Sequence, residues 1–333
     1  MQKNLTINFV GLFNQPGYVG ELSDETHIAR ELEKLGHTVN RVQRDIWKAY
    51  VDGDYDPSWD LPIKADINLI AKWHHFDKPE YIQRLKEVSR AGMPSSNTEG
   101  AVFYWIWDYM PNPDIPGWHR AMAIEADLYL SGEAGIFDQY RAFGARPYYF
   151  QMDVCDGDIP TFNNLEKVYD VVFTGSYLGQ GHRVEWLKKI NEQIPVTIFS
   201  WNPEEWIEAG FEQVYPAVYG EEYNKVISQS KIVVGFSVEP NCWGYWSNRV
   251  GKVLRAGGFL LQEYAPGMEI QLPYCVQYFN SPDEAIGKIK AFLEPKSPSK
   301  FHNHEEFTSK YKIRKLAILM ERYLEGDPTK WLL

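Results

Sequence analysis

SNRVGKVLRAGGFLLQEYAPGMEIQL, residues 247–272, decides the fold of this chain. Its first half reads as a helix with Ser247 as side-chain cap and with Arg249 and Lys252 in the opening turns. Gly257-Gly258 stops that helix, and the apolar run 259–262 follows as a buried strand. A second strand comes next, and the acidic turn Asn280-Ser281-Pro282-Asp283-Glu284 leads into another helix. Alternation of this kind builds a parallel sheet covered by helices. Unpaired amides, the positive end of a helix dipole and two cations meet at the start of the 247 helix, which suits an anionic ligand.

The same rhythm extends toward the N-terminus. Strands are expected at 169–174, 195–199 and 232–236, with helices at 183–192 and 221–229 between them. Before them, strands at 5–13, 37–43, 65–71, 102–107, 127–131 and 147–151 alternate with helices that include 24–35 and 79–90. Residues 50–62, rich in Asp, Pro and Gly, read as an irregular excursion, and 153–164 as a linker. A last helix is expected at about 305–324. A chain of 333 residues fits two cores of ~150 residues each.

Composition narrows the function classes. A formal net charge of -11 argues against broad electrostatic binding to nucleic acid or anionic lipid, both of which need a basic face. No apolar run approaches the ~20 residues of a membrane span, and 1–10 lacks a signal peptide's basic start, so a cytoplasmic protein is expected. Cys155, Cys242 and Cys275 have no metal-ligand spacing and read as reduced thiols. Among the twelve tryptophans, Trp105, Trp107, Trp118, Trp201, Trp243 and Trp246 have flat faces that suit sugar rings or bases, although most should fill the core.

Arg249, Ala256, Gly257, Gly258 and Phe259 resemble the last nucleotide-sugar-binding unit of GT-B glycosyltransferases, within them the group-1 and spore-maturation-protein-like relatives. That pattern is roughly Arg, two residues, Glu, then Ala-x-Gly-Gly-hydrophobic, and this chain carries Lys252 at the position of the ribose-holding glutamate. Tyr169-Asp170-Val171-Val172-Phe173-Thr174-Gly175-Ser176 with Arg183 and Leu187 is similar to the opening strand of the family's donor domain, and Tyr140 to Ala145 to the turn before its linker. The resemblance spans roughly 127–293. It implies an α/β GT-B protein with two Rossmann-like doubly wound domains facing a cleft and a C-terminal helix crossing back to the first. The corresponding boundaries are 1–155 for the acceptor domain, 165–302 for the donor domain and 303–333 for the returning helix.

The activity the resemblance implies is transfer of a hexosyl-type sugar from a UDP- or GDP-sugar to a hydroxyl acceptor, with no cofactor and no essential metal. Acceptors in that class include glycans, proteins, metabolites and modified nucleobases. A GT-B sugar-nucleotide epimerase and a catalytically silent nucleotide-sugar or glycan-binding protein are the alternatives, the latter motivated by Lys252. Ligands of open α/β sheets bind beyond the carboxyl ends of the strands. Donor-binding candidates there are Gly175, Ser176, Arg183, Glu239, Ser247, Asn248, Arg249, Lys252 and Glu263. The glycine allows close backbone approach, the arginines offer forks for phosphate, and the glutamates accept from hydroxyls. On the acceptor side, Asp24, His74 and Asp108 at strand ends are candidate bases for the acceptor hydroxyl.

Two glutamates separated by seven residues mark many group-1 relatives, but counting from Glu239 lands on Ser247, so stereochemistry stays open. Asp52-Gly53-Asp54 and Asp156-Gly157-Asp158 imitate a metal-binding Asp-x-Asp, yet their setting favours simple turns. His302, His304 and Glu305 lack a convincing third ligand and are not expected to hold a metal.

Overall fold

The computed structural model describes residues 3–13, 23–54, 56–71, 78–90, 100–107, 115–152, 159–162, 165–178, 182–272, 276–294 and 309–326. The chain divides into two units, one of Met1–Met152 with Ser309–Leu333, the other of Asp153–Thr308. Each contains a six-stranded sheet whose pairings are all parallel.

Unit 1 runs β1 (Thr6–Gly11), α1 (Asp24–Lys34), β2 (Thr38–Gln43), α2 (Arg44–Val51), β3 (Ile67–Ala71), α3 (Glu80–Arg90), β4 (Ala101–Ile106), α4 (Gly117–Glu125), β5 (Leu128–Ser131), α5 (Phe137–Ala142) and β6 (Pro147–Tyr149). Its strand order is β2-β1-β3-β4-β5-β6. The central strands β3, β4 and β5 are buried along their whole length, because helices cover both faces of a doubly wound sheet. Asn8 and Asn68 lie opposite each other on β1 and β3, and the Asn8 side-chain amide donates to Asn68 Oδ1 at 2.9 Å. This bond satisfies polar atoms that would otherwise be stranded in the core.

The last helix, α12 (Ser309–Leu324), belongs to unit 1. Ile313, Leu316, Ala317 and Met320 recur at helical spacing and are buried. The Lys3 amide donates to Glu321 at 3.1 Å, and the Tyr323 ring meets Phe103 edge-on at 5.2 Å. The N- and C-terminal segments are thereby fastened to the same sheet.

Helix α2 occupies a region the sequence pattern left without an element. It is short, and a single side chain anchors it: Trp47 is fully buried and its indole N–H donates to the Tyr81 carbonyl at 3.2 Å. One anchor leaves no repeating period in the sequence. Asp52 ends this helix, and its carboxylate accepts from Lys48, Lys78 and the Tyr81 hydroxyl, while Gly53 turns the chain at φ 109°. Asp156-Gly157-Asp158 and the 302–305 cluster lie outside the described residues. Among the described residues no helix is long and apolar enough to cross a membrane.

Unit 2 runs β7 (Tyr169–Thr174), α6 (His182–Asn191), β8 (Thr197–Ser200), α7 (Pro203–Glu208), β9 (Val214–Pro216), α8 (Gly220–Ser228), β10 (Ser230–Gly235), α9 (Arg249–Arg255), β11 (Leu260–Glu263), α10 (Met268–Gln271), β12 (Gln277–Phe279) and α11 (Pro282–Leu293). The sheet order is β12-β11-β10-β7-β8-β9. From β7 the chain proceeds outward through β8 and β9, then returns to the other side at β10. The order therefore reverses between β7 and β10, the position where open α/β sheets leave a crevice at the carboxyl ends. Phe173, Phe236, Phe279 and Trp206 fill one face of the sheet, and Trp246, Val253, Leu260 and Met268 fill the other.

Candidate anion-binding site at the β7 and β10 strand ends

The site is built on Phe173, near the end of β7. Its ring is buried, and two guanidinium groups lie over it, Arg249 at 5.2 Å and Arg183 at 5.8 Å from the centroid. Aromatic faces attract cations, so the ring is a floor on which two like charges sit side by side. Arg183 comes from the first turn of α6 and Arg249 from the first residue of α9. The crossovers after β7 and β10 thus deliver the two cations to the topological switch point.

Neither arginine forms an ion pair among the described residues. Arg183 Nη1 donates to the Ser176 carbonyl at 3.4 Å, whereas Arg183 Nε and Arg249 Nη1 are buried without a hydrogen-bond partner. Arg183 is only 6% exposed, and burial, together with the neighbouring Arg249 charge, pulls its pKa down to about 10. Burial also lowers Arg249, against the opposing influence of Tyr223 and Tyr245. Buried, unsatisfied cationic donors carry a desolvation cost, which an anion placed between them would offset.

Backbone approach is equally tight. A Cβ on Gly175 would meet Arg249 Nη2 at 2.5 Å and the Phe173 ring at 3.0 Å, so any larger residue there evicts the guanidinium. On β10, a Cβ on Gly235 would meet Gln262 Oε1 of the neighbouring strand at 1.9 Å. Gln262 uses that space to reach the Ser237 hydroxyl and the Glu263 carbonyl, at 3.4 and 3.1 Å.

Glu263, the last residue of β11, is 3% exposed. One carboxylate oxygen accepts from His182 Nε2 and the other from the Ser237 amide, the latter at 3.2 Å. Burial pushes its pKa up, and His182, the Ser237 amide and Arg183 act against that shift. His182 itself begins α6 and packs on Trp186 at 4.7 Å. The sequence reading passed over His182, though its position directly before Arg183 was the available signal.

Ser247 does not cap α9: the cap position is Asn248, with αR backbone and no side-chain cap bond. The reason is local, since the Ser247 and Asn248 carbonyls already receive the amides of Val250 and Lys252, both at 3.1 Å. Lys252 is half-buried one turn beyond Arg249. Glu239 is half-buried and accepts from the Asn241 amide at 3.1 Å, closing its own loop. Asp24 is the first residue of α1, whose cap is Ser23, accepting from the Thr26 amide at 3.1 Å. His74 and Asp108 lie outside the described residues.

The tryptophans separate by environment. Trp105, on β4, and Trp246 are fully buried. Trp201, just after β8, is 67% exposed and packs against Tyr219 at 5.0 Å. Asn202 ties this loop to the one after β7, its Oδ1 accepting from the Tyr177 amide at 2.9 Å. Tyr219 precedes α8, and one turn on is Tyr223, which influences Arg249 electrostatically.

Residues 182–300 match the family model described as Glycosyl transferase-like. That match covers most of unit 2, and the chain has the GT-B fold. Similar solved structures include AviGT4, a glycosyltransferase involved in Avilamycin A biosynthesis, with 12% identity, a TM-score of 0.57 and coverage of 97% of this chain and 98% of that one. Sucrose-phosphate synthase from Thermosynechococcus elongatus is 10% identical at a TM-score of 0.59, covering 96% and 98% of the two chains. An α-glucosyltransferase in complex with UDP and a 13-mer DNA containing a HMU base is 11% identical at 0.56, covering 97% and 94%. No curated protein matches the sequence. In this GT-B chain the family match begins at His182 and includes both arginines and Glu263.

Proposed function

We propose that this protein transfers a glycosyl group from a nucleoside-diphosphate sugar to a hydroxyl acceptor, with the diphosphate held by Arg183 and Arg249. The observation that carries this reading is the pair of guanidinium groups over Phe173 at the switch point of unit 2, Arg183 buried and Arg249 half-buried, neither in an ion pair among the described residues. A diphosphate gains negative charge as it leaves the sugar, so cations fixed in a water-poor setting stabilise the departing group more than the bound donor. Forked donors also match phosphate geometry in a way that single amines do not.

The open face of Trp201 supplies a stacking surface for the base, on the same side of the sheet as the β7 loop. UDP is the first nucleotide to test, since the α-glucosyltransferase neighbour is bound to it; GDP is the second. Two guanidinium charges supply the electrostatic role a metal would otherwise fill, so turnover is expected without a divalent cation. We assign acceptor binding to unit 1 by analogy with the fold. The overall charge of -11 favours a glycan, protein or metabolite over nucleic acid.

Calorimetric titration with UDP, GDP and their sugar conjugates tests the donor, followed by turnover assays in EDTA. Binding of one nucleotide and EDTA-resistant transfer are expected. Failure of every nucleoside diphosphate to bind would remove the reading, and activity restored only by Mn²⁺ or Mg²⁺ would remove its metal-free form. A binding protein without turnover is the second reading, favoured by Lys252 in place of a ribose-accepting carboxylate. Donor binding with no transfer or hydrolysis would select it.

A further inference from the structure

Glu263 is a carboxylate at the rim of a site whose other charged groups are cations. It stands at the end of β11, and its two oxygens accept from His182 at the start of α6 and from the Ser237 amide after β10. Three chain segments around the switch point are therefore joined through one buried side chain. The residue after His182 is Arg183, so the same contact orients the helix turn that carries a guanidinium over Phe173.

The charge of Glu263 matters as well as its shape. Arg183 and Arg249 repel each other, and Glu263 is the anion that acts on Arg183 in the opposite sense. Tyr245 faces both arginines and Tyr223 faces Arg249, but their hydroxyls carry no charge near neutrality. Each Glu263 oxygen already accepts one hydrogen bond from the protein, and the residue is only 3% exposed. That burial, more than any shortage of lone pairs, keeps a ligand hydroxyl away from it.

We propose that Glu263 is a positioning residue for the anionic ligand, held by His182 and Ser237, and serves as the internal counter-anion of Arg183, the guanidinium that shares Phe173 with Arg249. The proposal rests on the diphosphate reading for its ligand, and it assigns Glu263 no contact with the sugar or ribose. Such a counter-anion stabilises Arg183 before the ligand arrives and opposes the ligand's own negative charge. It sets affinity at a value that permits release of the nucleoside diphosphate product.

The test is pyrophosphate binding by calorimetry at pH 8, together with thermal unfolding without ligand, for Glu263→Gln, Glu263→Ala and Arg183→Ala. Glu263→Gln retains a side chain able to accept from Ser237 and removes the charge. It should lower the unfolding temperature without ligand yet tighten pyrophosphate binding about tenfold, because one unit of repulsion is gone. Glu263→Ala, which also releases His182, should bind more weakly than Glu263→Gln. A purely structural role would weaken binding in both variants, and that result would overturn the proposal.

The unfolding data separate this proposal from the diphosphate reading. If Arg183→Ala leaves pyrophosphate affinity unchanged, the diphosphate reading falls. The counter-anion role is then judged by a double-mutant cycle on stability between Glu263→Gln and Arg183→Ala. Favourable coupling between the two wild-type side chains supports it, and strict additivity overturns it.

Discussion

Arg183 and Arg249 share one aromatic ring, that of Phe173, with no carboxylate bonded to either guanidinium among the described residues. Like charges gathered in a protein interior are costly, so their pairing is a feature the fold maintains against its own stability. The two come from crossovers more than sixty residues apart, and only the reversal of strand order between β7 and β10 makes them neighbours.

Arg249→Ala and Arg183→Ala should each weaken nucleoside-diphosphate binding by ~1.5–3 kcal/mol, the usual worth of a hydrogen bond to a charged group. Ligand-free stability should hold or rise for Arg249→Ala, which removes one of two repelling cations, and should gain less or fall for Arg183→Ala, which also strips the buried Glu263 of its counter-cation. Calorimetry and thermal unfolding on the same samples check both halves, and an unchanged dissociation constant would remove the residue from the site.

Gly175→Ala should reproduce the binding defect of Arg249→Ala without touching any charge. The new methyl would sit 2.5 Å from Arg249 Nη2, too close for the guanidinium to stay over Phe173. Because both changes act through the same group, the double variant should bind no more weakly than Arg249→Ala alone. Additive losses would show that Gly175 acts on the ligand by its backbone instead.

Trp201→Ala separates base from phosphate. Stacking on an aromatic face is worth ~1–3 kcal/mol per base, so nucleoside-diphosphate affinity should fall by that amount. Pyrophosphate has no base, and its affinity should not change. Equal losses for both ligands would place Trp201 in loop structure rather than in base contact.

Asp52 governs part of the acid limb of stability. Hydrogen bonds from Lys48, then Lys78 and Tyr81, lower its pKa from 3.8 to about 2. A carboxyl depressed by folding adds stability above its unfolded pKa and loses it as pH falls through the folded value. Wild-type protein should therefore lose this contribution between about pH 4 and pH 2. Asp52→Asn should be less stable at pH 6 and show a flatter decline over that window in thermal unfolding; parallel curves would count against the assignment.

The repeating pattern in this sequence was enough to recover most of the sheet. Central strands such as 169–174 read as apolar runs because they are buried on both faces, and helices such as α12 repeat their buried residues at helical spacing. Period-based signals fail where one side chain does the anchoring, as Trp47 does for α2, and where the backbone caps itself, as at Ser247.

What the sequence determined by itself was the alternation of strands and helices and the presence of Arg183, Arg249 and Gly175 at strand-following positions, since these depend on neighbours within a few residues. Tertiary structure alone decided that the two arginines share Phe173 and that Glu263 meets His182, 81 positions away in the chain. The physical reason is that strand order, unlike strand identity, arises from packing between distant segments, and each contact at the switch point is a consequence of that order.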